Sequence, residues 1–432
     1  MSFSEWKEYR LGDIVDSISE KHKFDKDKII LINTSDVLEG KVLNHVYVEN
    51  ENLKGQFKKS FKKGDILYSE IRPKNKRFAF VDFDSEDYIA STKLMVLRKS
   101  SEDVHLNFLF QILKSDNIIN MLQVLAETRS GTFPQITYNE LANLKIKLPT
   151  IKEQKAIANI LSTLDEKIET NNQINKKLEE MAQAIFKHWF IDFEFPNEEG
   201  KPYKSSGGEM IEREMGMIPK GWKVGTFREY TDSVLGGDWG KEKPQGNYTK
   251  EVYCLRGADI PEVREGKKGA LPKRYILEKN YNNKKLSQGD LVVEISGGSP
   301  TQSTGRISYI NEFMLSKYDA DFVCTNFCKA ITLSNNDVLE FFYFYWDYLY
   351  NIGVFFQYEN GTTGIKNFDI NTFLDKFLMV KPPKEIIYKF HNVVKSLLNT
   401  IQSNGSENIK LSEIRDILLP KLMSGEIRVP LE

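Results

Sequence analysis

From Ile157 to Trp189 a stripe of positions recurs at alternating spacings of four and three: Ile157, Leu161, Leu164, Ile168, Asn171, Asn175, Leu178, Ala182, Ile185 and Trp189. That period belongs to a long helix laying one edge against another helix. The stripe is apolar at both ends and polar at its centre. A shift of 233 positions finds it again, as Phe390, Val394, Leu397, Ile401, Asn404, Asn408, Leu411, Arg415, Leu418 and Leu422, with the two asparagines in the same places. A lone amphipathic helix of this length cannot bury its stripe, so the copies are expected to pair. Antiparallel pairing sets Ile157 against Leu422, Leu161 against Leu418, Ile168 against Leu411, Asn171 against Asn408 and Asn175 against Asn404. The asparagines would match in a parallel pair too, so they define register. Direction comes from the connection, which a parallel pair would have to carry back along the whole helix.

The pattern around the helices also repeats. Trp6-Lys7 opens the first half and Gly221-Trp222-Lys223 the second. Apolar runs ending in an Asp turn follow, Ile29 to Asp36 and Val252 to Asp259. Gly64-Asp65 and Gly289-Asp290 each read as a turn feeding a strand. Polar loops come next, Arg72 to Arg77 and Ser296 to Gln302, then returning strands. Ser91 to Leu97 and Cys324 to Ala330 alternate as single strands. Helical stretches (Leu106 to Leu125, Leu339 to Phe356), glycine turns (Arg129 to Thr132, Glu359 to Gly364) and a last helix and strand complete each half. Leu148-Pro149 and Pro382-Pro383 then punctuate the start of each long helix. The predicted class is α+β: two similar mixed domains separated by two long antiparallel coiled-coil helices, with a pseudo-twofold internal repeat. The expected boundaries are 1–149 for the first domain, 150–193 for the central helix, 194–220 for a loose linker, 221–382 for the second domain and 383–427 for the C-terminal helix. Asn404-Gly405-Ser406 weakens the middle of that helix, where a kink or break would alter the distance between the domains.

The net charge of −1 over 432 residues does not by itself announce a nucleic-acid partner, but charge is sorted along the chain. Residues 58–77 hold eight basic side chains against two acids, residues 263–285 another eight against two, and residues 192–214 seven acids against three bases. No run reaches a membrane-spanning length, and the N-terminus lacks an apolar signal region. The three cysteines, Cys254, Cys324 and Cys328, fit buried thiols and a reducing cytoplasm.

Catalytic patterns are weak. The five histidines are scattered without metal-ligand spacing. Gly236 to Lys241 is one residue short of a phosphate loop and is followed by Glu242. Asp290 and Glu294 share a strand face but lack the lysine a nuclease would place two residues on. The chain reads as a binder, with no catalytic residue, metal or cofactor of its own.

Two similar basic domains on a stiff spacer suit two half-sites on a duplex. The stripe of 33 positions is ~50 Å long at ~1.5 Å per residue, against ~34–36 Å between half-sites on one face of B-DNA. Lysines would position each domain on phosphates, and arginine, asparagine and glutamine could read bases. The candidate DNA-contacting residues are Arg72, Lys74, Asn75, Lys76, Arg77, Arg129 and Gln135 in the first half. In the second they are Lys268, Ser299, Thr301, Gln302, Asn360, Thr362 and Lys366.

Three strings carry a family resemblance: Gly216 to Trp222 (GMIPKGW), Glu180 to Phe186 (EMAQAIF) and Leu418 to Ile427 (LLPKLMSGEI). With them, essentially the whole chain resembles the DNA-specificity subunit of a Type I restriction-modification system. The resemblance implies two target-recognition domains on an antiparallel helix pair and a bipartite double-stranded DNA target with an unspecified spacer. It also implies two adenine-methyltransferase subunits docked on the scaffold and nuclease–translocase (restriction) subunits joining them, with S-adenosylmethionine, ATP and magnesium held by those partners. Phe186, Trp189 and Phe190 offer more aromatic surface than one stripe needs and are candidates for docking the methyltransferase, with core packing against the recognition domains as the alternative. A DNA-binding scaffold without methylase partners is the alternative reading, and a methylase reading frame beside this one would discriminate.

Overall fold

The computed structural model describes residues 6–22, 26–51, 55–128, 134–299, 301–361 and 365–430. The chain divides into two compact units, Met1–Glu166 with Ser412–Glu432, and Lys167–Leu411. Both divisions fall inside long helices rather than at the prolines before them. Ile151–Phe186 and Lys384–Ser424 each contribute to both units.

In the first unit, Lys7–Arg10 pairs antiparallel with Lys145–Leu148. One four-stranded antiparallel sheet runs in the order Val15–Ile18, Leu94–Lys99, Ile66–Ser69, Phe78–Phe80. A second orders Val48–Glu49, Lys28–Ile32, Tyr88–Ser91 and Phe57–Lys59, with its central pair parallel. Ile66–Ser69 is buried on both faces because successive side chains point to opposite sides. Ile66 and Tyr68 enter the core formed with the helices Leu106–Leu113 and Asp116–Glu127, while Leu67 joins Ile30, Ile32 and Ala90 in the other.

The second unit repeats this plan. Lys223–Thr226 pairs with Leu378–Lys381. One sheet orders Thr231–Gly236, Cys328–Leu333, Leu291–Glu294 and Ile307–Tyr309, and another orders Lys273–Leu277, Tyr248–Leu255 and Phe322–Cys324, the last pair parallel. The architecture is therefore α+β with an internal repeat.

Two runs that alternate like single strands are each two strands with a turn between. Tyr88–Ser91 and Leu94–Lys99 flank one turn, Phe322–Cys324 and Cys328–Leu333 the other. Alternation is blind to such a corner when the turn residues keep the polar–apolar rhythm.

The segment 194–220 is not a loose linker. Phe195 stacks on Tyr203 with centroids 4.6 Å apart and on Trp222 at 4.9 Å, and Met210–Arg213 forms a hairpin with Gly216–Pro219. Its Gly, Ser and acid content concealed a few aromatic anchors that bury in the second unit's core.

The long helices pair antiparallel. Within the first unit Ile157 and Leu161 are fully buried beside Leu422, with Leu418 packed on the same core. Burial alone would raise the Asp165 carboxyl, but hydrogen bonds from Lys114 at 2.6 Å and Arg415 at 2.9 Å hold it below the usual range. Arg428 closes on buried Glu153 at 2.5 and 2.8 Å. Within the second unit Asn171 Nδ2 donates to Asn408 Oδ1 at 2.9 Å, and Asn404 Nδ2 to Asn175 Oδ1 at 2.9 Å. Asn175 also donates to the carbonyl of Ile401 at 3.1 Å. Hydrogen-bonded asparagines in such a seam lower stability but penalise slipped registers, which would bury them unpaired. Leu164, Ile168, Leu178, Leu397 and Leu411 are only half-buried, whereas Phe186 and Leu398, one position off the stripe, are buried.

Lys384–Ser424 runs as one helix through Asn404-Gly405-Ser406, with no break there. Gly405 has a different role. A Cβ there would lie 2.6 Å from Gly266 Cα and closer still to the Gly266 carbonyl. The glycine is the notch in which the loop around Gly266 rests.

Of the two readings of Phe186, Trp189 and Phe190, methyltransferase docking gives way to core packing. They are 1%, 9% and 2% exposed. Phe190 meets Phe341 at 4.8 Å and Phe390 at 5.0 Å, and Trp189 meets Phe390 at 6.0 Å. Their extra aromatic area faces the aromatic helix Leu339–Asn351, which one heptad stripe cannot reveal, and none of it is left for a methyltransferase. Glu179 pairs with Arg264, which also meets Asp347 at 2.6 Å.

Candidate nucleic-acid interface

In each unit two loops far apart in sequence are joined by backbone hydrogen bonds. In the first unit the loop after Ile66–Ser69 meets the segment just beyond the glycine turn. Ile71 bridges Gln135, Arg72 N donates to Pro134 O at 3.0 Å, and Ile136 N donates to Glu70 O at 2.8 Å. On the other side, Glu70 N donates to Lys93 O at 3.0 Å. In the second unit the loop after Leu291–Glu294 repeats the arrangement. Ser296–Gly297 pairs with Lys366–Phe368, which pairs in turn with Glu359–Asn360. Phe368 N donates to Ile295 O at 2.8 Å, and Ile295 N to Phe327 O at 2.9 Å. Glu70 and Ile295 therefore hold equivalent places, as do Lys93 and Phe327, and Ile136 and Phe368. Each unit presents three chain passages side by side as one polar rim.

Within the first rim, Pro73–Asn75 forms one helical turn flanked by Arg72 and Lys76, both with left-handed backbone (φ 44° and 52°). Lys74 N donates to Oε1 of the buried Gln123 at 3.1 Å, which ties the loop to the helix Asp116–Glu127. This anchoring leaves the side chains of Arg72, Lys74, Asn75 and Gln135 exposed. Arg77 faces inward, donating to the carbonyls of Ser35 at 2.9 Å and Val37 at 3.3 Å. Lys76 lies 3.5 Å from Asp116 and 3.9 Å from Glu39. Arg129 lies outside the described residues.

In the second rim, Ser299 shapes its own turn, its Oγ accepting from the Thr301 and Gln302 backbones at 3.3 and 3.1 Å. Thr301, Gln302 and Asn360 are exposed, and Gln302 Nε2 reaches the Tyr350 hydroxyl at 3.4 Å. Lys366 pairs with Glu359 at 2.9 Å and lies over the Phe356 ring. Thr362 lies outside the described residues. Asn326, Phe327 and Asn367, absent from the sequence-based candidates, stand exposed on this rim.

The two basic runs are less bare than their composition suggests. Lys59 donates to the carbonyls of Thr92 and Leu94, and burial lowers its pKa. Hydrogen bonds from Lys273 to Glu251 at 2.9 Å and Asp319 at 3.1 Å hold that ammonium above the usual lysine range. Arg274 lies 3.9 Å over the Trp239 ring. Lys268 lies over Tyr318, on the loop that seats Gly266 against the second long helix, not on the rim. Composition counts charges but not the acids and rings that fold against them.

The other chemistry has structural partners. Asp290 accepts from Thr332 Oγ1 at 2.7 Å, and Glu294 holds Arg306 at 2.7 and 2.8 Å. The three cysteines are buried free thiols, and burial pushes Cys254 and Cys328 up to about 12. Among the described residues no group of three or more His, Cys, Asp or Glu could hold a metal ion, and no helix is long and apolar enough to cross a membrane.

Residues 3–180 match the family model described as the Type I restriction modification DNA specificity domain. The chain is similar to the Type I restriction enzyme HindI specificity subunit of Haemophilus influenzae, with 32% identity over 98% of this chain and 100% of that protein. It is also similar to the MjaIX specificity subunit of Methanocaldococcus jannaschii, with 30% identity over 74% of this chain and 69% of that protein. A crystal structure of the S subunit of a Type I restriction-modification system from M. genitalium shares the fold, with a TM-score of 0.55 at 18% identity over 97% of this chain and 96% of that one.

Proposed function

The chain belongs to the family of Type I restriction-modification specificity subunits, and on that premise we propose that each of its two units reads one half of a bipartite double-stranded DNA target. The reading rests on the repeated rim, in which backbone bonds unite the same pair of loops in both units. Exposed Arg72, Lys74, Asn75 and Gln135 serve one half-site, and Thr301, Gln302 and Asn360 the other. Lysines act on phosphates and set position, while arginine, asparagine and glutamine act on base edges.

Under this proposal the chain is the non-catalytic member of a cytoplasmic complex. Two methyltransferase subunits bind it and restriction–translocase subunits join them, bringing S-adenosylmethionine, ATP and magnesium. The pairing of Asp290 and Glu294 with Thr332 and Arg306 favours a structural role for the acids that most resemble a nuclease pair.

The test is to co-express the chain with its methyltransferase subunit and map methylated adenine across the host genome. The expected result is methylation confined to one interrupted sequence, with substitution of Arg72 changing only one of its halves. Methylation that persists without this chain, or a single uninterrupted motif, would overturn the proposal.

A further inference from the structure

Phe327 is 59% exposed on the rim of the second unit. The turn that carries it is fixed on both sides. Cys328 N donates to Thr325 O at 2.9 Å, and Thr325 N donates to Leu255 O at 3.0 Å. Cys324 and Cys328 fill the core beneath, at 2% and 0% exposure. The core positions at this corner are therefore occupied, and the turn holds the ring outward beside Asn326.

The position is defined by the rim. Phe327 O accepts from Ile295 N at 2.9 Å, and Ile295 O accepts from Phe368 N at 2.8 Å. Phe327 is thus hydrogen-bonded into the passages that carry Ser296, Asn360 and Asn367. In the first unit the equivalent place, marked by the bond from Glu70 N to Lys93 O, holds Lys93, whose ammonium lies 3.5 Å from Glu70. At this place in a shared backbone plan the outward side chain is thus cationic in one rim and apolar in the other. A lysine there suits a phosphate. A phenyl ring has no polar atom to offer, and in the major groove the one apolar group on a base edge is the C5 methyl of thymine.

Resting on the DNA-reading role proposed above, we infer that Phe327 is a specificity-determining residue that contacts a thymine methyl in the half-site read by the second unit. Lys93 makes a sequence-blind phosphate contact at the matching place in the first. Loss of Phe327 relaxes the preference for thymine at one position and leaves the first half-site unchanged.

The test selects duplexes from a random-sequence pool with the assembled complex carrying either the parent chain or Phe327→Ala, then measures affinity for the parent's selected duplex with thymine replaced by uracil. Expected are loss of one thymine preference in one half-site for Phe327→Ala and its partial retention in Phe327→Leu. Uracil at that position should weaken the parent ~3- to 10-fold, the scale of one apolar carbon no longer buried, and leave Phe327→Ala unaffected. An unchanged motif in Phe327→Ala, a uniform loss over all sequences, or indifference of the parent to uracil would each overturn the inference while leaving the bipartite reading in place. A parent complex that selects no interrupted motif would remove the bipartite reading and this inference together. Because the ring is exposed, thermal unfolding of Phe327→Ala should match the parent.

Discussion

Asn171 Nδ2 donates to Asn408 Oδ1 at 2.9 Å, joining the two long helices across 237 positions of sequence. Both residues are buried, at 1% and 7% exposure. Asn171→Ala leaves the Asn408 amide with a missing partner, at a cost of ~1–3 kcal/mol. The double variant Asn171→Leu, Asn408→Leu should cost less than the sum of the two single leucine changes, because neither end of this bond is then left without the other. Four of the five tryptophans, Trp189, Trp222, Trp239 and Trp346, lie in the second unit. Urea unfolding followed by tryptophan fluorescence therefore reads this unit, and strictly additive single effects would count against the pairing.

Gly405 inverts the ordinary rule for a helical glycine. Replacing glycine by alanine inside a helix usually stabilises it by up to ~1 kcal/mol. Here the new methyl would be driven into the backbone of Gly266, so Gly405→Ala should lower stability by ~1–3 kcal/mol, the range for overpacking. The same unfolding assay checks the sign, and stabilisation would show that the two backbones can part without penalty.

Burial lowers the Lys317 ammonium to about 8 from an ordinary 10.5, although its Nζ donates to the Gly266 carbonyl at 2.6 Å. Below pH 8 the lysine is protonated folded and unfolded, and the cost of burying its charge is fully present. Between about 8 and 10.5 the unfolded chain binds more proton than the folded one, so this group's contribution to stability rises with pH. Lys317→Met should remove that contribution. The stability difference between Lys317→Met and the parent should therefore shrink as pH rises through the window, and a difference that stays constant from pH 7 to 10 would rule the titration out.

Arg72 and Lys74 should separate by assay. Lys74→Ala is expected to weaken DNA binding about equally for all sequences and reduce the salt slope by ~1, as a phosphate contact does. Arg72→Ala should cost ~1–3 kcal/mol on the preferred duplex and relax one position of a single half-site. Titrations at several salt concentrations, on preferred and scrambled duplexes, distinguish the two roles. An Arg72→Ala effect equal on both duplexes would reassign that residue to the phosphates.

Some features were visible as spacing. The heptad stripe, its copy 233 positions on and the matched asparagines are properties of local periodicity, and the helix pair bonded through Asn171–Asn408 and Asn175–Asn404 follows that register. The repeated Gly-Asp turns likewise sit before the strands Ile66–Ser69 and Leu291–Glu294. The candidate interface was less accessible. Arg72 and Gln302 carry no mark that distinguishes them from Arg77 and Ser299. The difference arises because Arg77 finds the carbonyls of Ser35 and Val37, some 40 positions away, and Ser299 closes its own turn.

Periodicity and repetition alone determined that this protein has two similar halves and a long helix pair in a defined register, because a helix writes its buried face into neighbouring residues at a constant interval. Tertiary structure alone decided that Glu70 meets Ile136 and Ile295 meets Phe368, that Trp189 turns inward while Phe327 turns outward, and that Gly405 receives the backbone of Gly266. Each of those outcomes depends on which distant segment arrives at the residue, and no local interval encodes it.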